Sequence, residues 1–185
     1  MKKDTSRYLK ATGLLLLLVA LDRASKLLAL YYLKGTSGVD IIPGLFRLDF
    51  LINEGAAFSM LQGKQIFFFI LTVVVLLFLL WVYPRIPDEK RFRALRLIAV
   101  FLFAGAAGNM IDRVSQGCDI DFMNFCLIDF PIFNVADCYL TFSAIVLLCL
   151  CLFRYHDEDF DRIFHRKQQE RRIDEEGNDS DSRGE

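Results

Sequence analysis

Four long apolar stretches alternate along the chain with charged or turn-rich segments, and their lengths predict helices rather than strands. The first, 11–33, is interrupted by Asp22, Arg23 and Lys26. The second, 66–83, has no charged residue and is long enough to cross a bilayer, and Pro84 and Pro87 end it. The third runs over about 96–113 and contains the small-residue patch Ala104-Gly-Ala-Ala-Gly108, which lets helices approach closely. The fourth, about 135–153, is uncharged from Cys138 onward. Between the first two, residues 34–64 are punctuated by Gly35, Gly38, Pro43, Gly44 and Gly55, and the partial alternation of 46–52 predicts a short strand. Residues 114–133 read as a short connection.

Charge sets the expected orientation. The N-terminal flank 1–10, the 84–96 loop and the segment after 153 are rich in Lys and Arg, whereas the 34–64 and 114–133 loops carry few. The positive-inside rule then predicts four spans with both termini cytoplasmic and those two loops on the outer face. The basic flank followed by Leu14–Val19 imitates a secretory leader, but no small-x-small cleavage site follows, so the helix is expected to be retained. One membrane domain, 1–153, is expected, followed by a charged cytoplasmic tail, 154–185, disordered towards its end.

Composition narrows the chemistry. The 185 residues are 54% hydrophobic with a net charge of -1, which gives a nucleic-acid partner no electrostatic support. The five cysteines form no CxxC pair and read as small buried hydrophobes. The two histidines, His156 and His165, both lie beyond the last apolar stretch. A zinc site or a serine–histidine pair inside the apolar part therefore lacks its imidazole. Acid–base work there falls to carboxylates, and no metal or cofactor is expected.

Asp121 and Asp137 are the acids of interest, because an ionisable group at the edge of a bilayer is costly and marks a functional site by default. Both fall on the expected outer face. Asp119 and Asp121 alternate, so an extended segment points both the same way, although a solvated loop with incidental acids reads equally from the residues. Asn109 and Asp112 share a helical face, and Asp112 beside Arg113 could form a surface ion pair. Asn134 or Asp137 could cap the fourth helix, a role compatible with chemistry. Asp22 and Lys26, four apart, partly neutralise each other and suit a structural role. Asn53-Glu-Gly-Ala-Ala-Phe-Ser59 could admit an extended chain at close range, or be a turn entering a short interfacial helix.

Taken in order, Asp22-Arg-Ala-Ser-Lys26, Asn53-Glu-Gly-Ala-Ala-Phe-Ser59, Gly108-Asn-Met-Ile-Asp-Arg113, Asp121-Phe122 and Phe133-Asn-Val-Ala-Asp137 resemble the motifs of the signal peptidase II family, membrane aspartyl peptidases of bacteria. The resemblance covers roughly residues 12–153. It implies an all-α membrane protein of four transmembrane helices, with a small extracytoplasmic β-cradle and an interfacial helix. It also implies cleavage of prolipoproteins on the amino side of a lipid-modified cysteine, in the bacterial cytoplasmic membrane. By this resemblance Asp121 and Asp137 are the catalytic pair. Asn53, Gly55, Asn109, Arg113 and Asn134 line the site or hold substrate, Asp112 supports it, and Asp22 and Lys26 match the first-helix motif. The chain departs from the family at Cys138, where a serine is usual, and at Asp119, where an apolar residue is common. Phe122 favours Asp121 over Asp119.

The expected partners are a lipid-modified prolipoprotein and membrane lipids, with a monomer as the working unit. The 34–64 loop is expected to act as a lid. The alternative from the residues alone is a small transporter or proton-pathway protein, since intramembrane acids mark those too. Such a protein more often shows internal repeats, and none is visible here.

Overall fold

A computed structural model describes residues 2–53, 65–128 and 130–164. Among them the order is α1 (Lys2–Tyr32), β1 (Val39–Ile42), β2 (Phe46–Asn53), α2 (Gln65–Val82), α3 (Arg93–Gln116), β3 (Asp119–Phe125), α4 (Val135–Phe153) and α5 (Asp157–Phe164). The chain is mostly helical with one small antiparallel sheet of order β1-β2-β3. The expected interfacial helix, Gly55 and the second part of the expected 34–64 lid fall on residues 54–64, and His165 and the end of the tail on 165–185, all outside the described residues.

The helices begin and end largely where the pattern changes, with two differences. The basic flank is itself helical, so α1 starts at Lys2 and reaches 31 residues. Helical hydrogen bonding simply continues through Lys and Arg, which are good helix formers. At the other end α3 runs on to Gln116 and stops at Gly117, whose φ of 74° is left-handed and whose N–H donates to Arg113 O. This stop leaves only Cys118 before β3, so the acids of that strand start directly beneath the end of α3.

Two helices, Lys90–Gln116 and Val135–Phe153, are long and apolar enough to cross a membrane, and Phe69–Arg85 is a shorter apolar one. Phe142, Ile145, Leu148 and Leu152 of α4 are exposed. Large apolar side chains on one exposed helix face suit lipid rather than water.

The small-residue patch does what its composition predicts. A Cβ on Gly105 would lie 2.7 Å from Ala136 O and 2.8 Å from Leu140 Cγ, and one on Gly108 would lie 2.6 Å from Asp22 Oδ2. The two glycines thus let α3 touch α4 and α1 at once, while Leu18 packs on Val100 and Ala104 nearer the other end. Residues 154–164, expected as the start of the tail, hold α5. Its Ile163 joins Leu79, Ile86, Phe92, Ala99 and Tyr155 in a buried cluster, and Arg91 Nε donates to Asp159 Oδ1 at 2.8 Å.

The strand expected at 46–52 is β2. It pairs with β3 in the register Asn53↔Asp119, Ile52↔Ile120 and Leu51↔Asp121, with an irregularity between Leu48 and Leu51. The 114–133 connection therefore contains a strand that its sequence did not announce. Its pairing supplies the hydrogen bonds that a polar, mixed segment cannot provide locally.

Adding a methyl at Gly108 should disturb this packing, whereas Gly13 has nothing within 4 Å of an added Cβ. Gly108→Ala is expected to cost on the order of 1–3 kcal/mol in detergent unfolding. Gly13→Ala should be neutral or stabilising by up to about 1 kcal/mol. Equal effects at the two sites would contradict the close-approach account.

Candidate active site

The polar site is built on a buried cation. Lys26 is fully buried, as are Asp22 and Asp112, with Asp119 2% exposed. Lys26 Nζ lies 3.1 Å from Asp22 Oδ2, 2.6 Å from Asp112 Oδ2 and 3.8 Å from Asp119 Oδ1, and donates to Asn109 Oδ1 at 2.9 Å. Arg23 pairs with Asp112 Oδ1, and Arg113 lies 2.5 Å from Asp119 Oδ2. Three cations thus face three carboxylates, and each carboxylate has a partner of opposite charge. Buried charges persist only when paired in this way.

The expected Asp22–Lys26 pair is present, and Asn109 and Asp112 do share a face. The adjacent-residue pairing of Asp112 with Arg113 is not what forms. Asp112 turns to Arg23 and Lys26, and Arg113 turns to Asp119. Consecutive residues on a helix point about 100° apart, so each reaches a different neighbour.

Asp121 and Asp137 sit above this cluster and are held by neutral donors. Asp121 accepts from Asn134 Nδ2 at 2.7 Å on Oδ1 and from Asn53 Nδ2 at 2.8 Å on Oδ2. Asp137 accepts from Asn109 Nδ2 at 2.8 Å on Oδ1 and from the Asn134 backbone N–H at 3.1 Å on Oδ2. All four carboxylate oxygens therefore carry a donor, and Asn134 supplies one to each acid. Asn134 Oδ1 also accepts from Asp137 N at 3.0 Å, which completes a capping box at the start of α4. The capping role expected for Asn134 or Asp137 is thus shared by both, and it fixes the Asp137 rotamer.

Strand register explains Asn53. It opposes Asp119 but its amide bonds Asp121, the diagonal neighbour two residues along. Asp22 Oδ1 accepts from Ala136 N at 2.9 Å and so ties α1 to the first turn of α4. Of the residues singled out in the sequence, Asp22, Lys26, Asn53, Asn109, Asp112, Arg113, Asp121, Asn134 and Asp137 come together. Arg23 joins them, although its signals in the sequence are only its place in the first-helix motif and a third charge within an apolar helix. Phe133, which opens the Phe133–Asp137 motif without an expected role of its own, joins them too. Its carbonyl accepts from Phe122 N and Met123 N, and this lashes the segment before α4 to β3.

A cavity of about 530 Å³ opens beside the two acids. Asn53, Arg113, Asp119, Asp121 and Asp137 line one side, and Phe130, Phe133, Leu140, Phe142 and Ile145 are among the residues of the apolar remainder. Burial pushes the Asp121 carboxyl up to about 6, with the Asn53 hydrogen bond opposing and Asp137 assisting. Burial likewise pushes Asp119 up to about 7, against the pull of Arg113 and Lys26. A carboxyl that titrates near neutrality can serve as acid or base at the working pH.

Residues 14–153 match the family model for signal peptidase (SPase) II. The lipoprotein signal peptidases of Streptococcus pyogenes serotype M5 (strain Manfredo) and serotype M18 (strain MGAS8232) are each 38% identical over 143 residues, 77% of this chain and 92% of theirs. A bacterial membrane enzyme solved by the in meso method at 2.3 Å superposes with a TM-score of 0.70 at 33% identity, over 77% of this chain and 87% of that one. A second, solved at 1.9 Å, gives 0.69 at 32%, over 79% and 94%. The class is that of a membrane peptidase of the aspartic type. The chain belongs to the signal peptidase II family, and this membership sets aside the transporter alternative.

Two outcomes test the electrostatics. Lys26→Met leaves buried carboxylates uncompensated and is expected to cost about 3–5 kcal/mol in detergent unfolding, as breaking a buried pair does. Asp119 and Asp121 hold a proton more tightly when folded than at the ordinary carboxylate value of 3.8. Their contribution to stability is therefore full below that value and is lost as pH rises through about 6 and 7. The unfolding temperature should fall between about pH 4 and pH 7, and less so in Asp119→Asn. A profile flat in both proteins would contradict this.

Proposed function

We propose that this chain removes the signal peptide from diacylglyceryl-modified prolipoproteins, on the amino side of the lipidated cysteine, with Asp121 and Asp137 as the catalytic pair. The observation that carries the reading is the shared clamp. Asn134 holds both carboxylates, each at a defined angle, at the mouth of an apolar cavity. The relatives named lipoprotein signal peptidase support the substrate class.

In this reading the ionised acid takes a proton from a water molecule whose oxygen attacks the scissile carbonyl carbon. The protonated acid donates to the carbonyl oxygen, and as the C–N bond breaks a proton passes to the leaving amine. Two neighbouring carboxylates cannot both ionise readily, so they share one proton. Their apparent pKa values belong to the pair, and neither acid is assigned the proton. Arg113 and Asn53 line the same cavity, and this reading has them hold substrate carbonyls. Gly55 is kept as a substrate contact on the resemblance alone.

Asp119 is the third acid of the cavity, and its partners distinguish it from Asp121. It engages Arg113 and Lys26 as a counter-ion, whereas Asp121 accepts its hydrogen bonds from the neutral side-chain amides of Asn53 and Asn134. Turning Asp119 toward a substrate would break its ion pairs with Arg113 and Lys26, which favours Asp121 as the partner of Asp137.

Four spans, 11–33, 66–83, 96–113 and 135–153, with both termini cytoplasmic and the acids near the outer face, complete the reading. The length of α1, about 46 Å at 1.5 Å per residue, exceeds the roughly 30 Å hydrocarbon core. The acids lie where α3 ends and α4 begins, at the bundle end away from the basic loop. Both the acyl chain and the signal-peptide helix then reach the cavity from the bilayer, past the exposed Phe142 and Ile145. The enzyme is read as working as a monomer, with 154–185 on the cytoplasmic side.

Cleavage of a lipidated prolipoprotein in detergent tests the pair. Asp121→Asn and Asp137→Asn should each lose on the order of 10²–10⁴-fold in turnover while still unfolding cooperatively. Asp119→Asn should keep measurable turnover. Full turnover by either of the first two, or total loss in the third alone, would reassign the dyad.

A further inference from the structure

The bundle has a second cavity, of about 570 Å³, between the N-terminal halves of α1 and α3. Lys10 and Lys26 are about 24 Å apart along α1, so this cavity belongs to the end of the bundle away from the aspartates. Arg7, Lys10, Arg93 and Arg96 line it against a single carboxylate, Asp88. Asp88 is taken up by Arg96 at 3.1 Å. Arg7 spends its guanidinium on neutral acceptors, the carbonyls of Ile86 and Pro84 and the Tyr8 hydroxyl. Among the described residues Lys10 and Arg93 have neither an ion-pair nor a hydrogen-bond partner. The cavity therefore carries an uncompensated positive charge.

Its depth profile is the second observation. α1 and α3 run the same way here, so both walls change character together. The basic residues at 7, 10, 93 and 96 come first, and Leu14 and Val100 follow one turn further along each helix. A ligand that fits has an anionic head and an apolar body, in that order along the membrane normal. Free phosphate would leave the apolar wall unmatched, and a zwitterionic headgroup would leave the charge unmatched.

We propose that this cavity is a binding site for an anionic phospholipid, with the phosphate among Arg7, Lys10 and Arg93 and an acyl chain along Leu14 and Val100. The inference rests on reading α1 and α3 as spans, and not on the peptidase chemistry. Basic pockets between transmembrane helices hold acidic lipid headgroups by this combination of charge and depth. Such a lipid would bridge α1 and α3 at the level where both present basic groups.

The test uses the full chain, delipidated in neutral detergent and then exposed to phosphatidylcholine vesicles doped with phosphatidylglycerol, with retained lipid measured by native mass spectrometry. The wild type should retain phosphatidylglycerol over phosphatidylcholine. Lys10→Gln with Arg93→Gln should weaken retention roughly 10- to 30-fold, at about fivefold for each basic group near the surface. Lys90→Gln with Arg154→Gln removes the same charge from the same end outside the cavity and should change little. An equal loss in both double variants, or no preference in the wild type, would overturn the site. Displacement of the lipid by free glycerol phosphate would overturn the lipid in favour of a soluble phosphate ester. Prolipoprotein cleavage in neutral detergent is read alongside. A wild type that binds the lipid but does not cleave would count against the peptidase reading and leave the lipid site standing.

Discussion

The structure depends on how a lysine ammonium is kept deep inside a helical bundle. Lys26 has no exposed surface, and an isolated buried cation would cost several kcal/mol after relaxation. It is tolerated because Asp22, Asp112, Asp119 and Asn109 surround it, drawn from α1, α3 and β3. Each of those partners is then committed elsewhere. Asp22 reaches the first turn of α4 through Ala136 N, Asn109 reaches Asp137, and Asp119 reaches Arg113. One charge-satisfaction requirement thus positions three helices and the strand that carries Asp121.

The glycines make that arrangement sterically possible. Asp22 fits beside α3 only because position 108 has no side chain, and the first turn of α4 fits only because position 105 has none. Polar satisfaction and close packing are usually argued separately; here each is a condition of the other. The result is a rigid base under two acids whose oxygens are all occupied by donors. In the capping box the same hydrogen bonds that start α4 also orient Asp137. A change that disturbs the cap would also move the proposed chemistry.

The two cavities divide the bundle by chemistry. One end gathers carboxylates beside aromatic and aliphatic walls, and the other gathers guanidinium and ammonium groups above aliphatic ones. The basic end also holds α5, anchored by Arg91 on Asp159 and by Phe92 stacked on Tyr155 at 5.7 Å. Its eight residues are too short to be a stable helix alone and depend on that docking. The charge asymmetry seen in the loops is thus continued in the tertiary structure.

The sequence by itself determined the four long helices, the strand at 46–52, the Asp22–Lys26 pair, the shared face of Asn109 and Asp112, and the cap at Asn134–Asp137. All of these are local: periodicity, i,i+3 and i,i+4 spacing and capping act within a few residues of one another. The ordered motifs also gave the family. Only the tertiary structure decided that Asp112 pairs with Arg23 rather than Arg113, that residues 119–125 join a sheet, and that α5 docks. It alone decided that Asp119 serves as a counter-ion while Asp121 stays with neutral donors. Those choices join residues far apart in sequence, 83 positions for Lys26 and Asn109 and 68 for Asn53 and Asp121. Partner choice in a buried network is set by which charges the packed helices bring within reach, and spacing along the chain does not contain that distance.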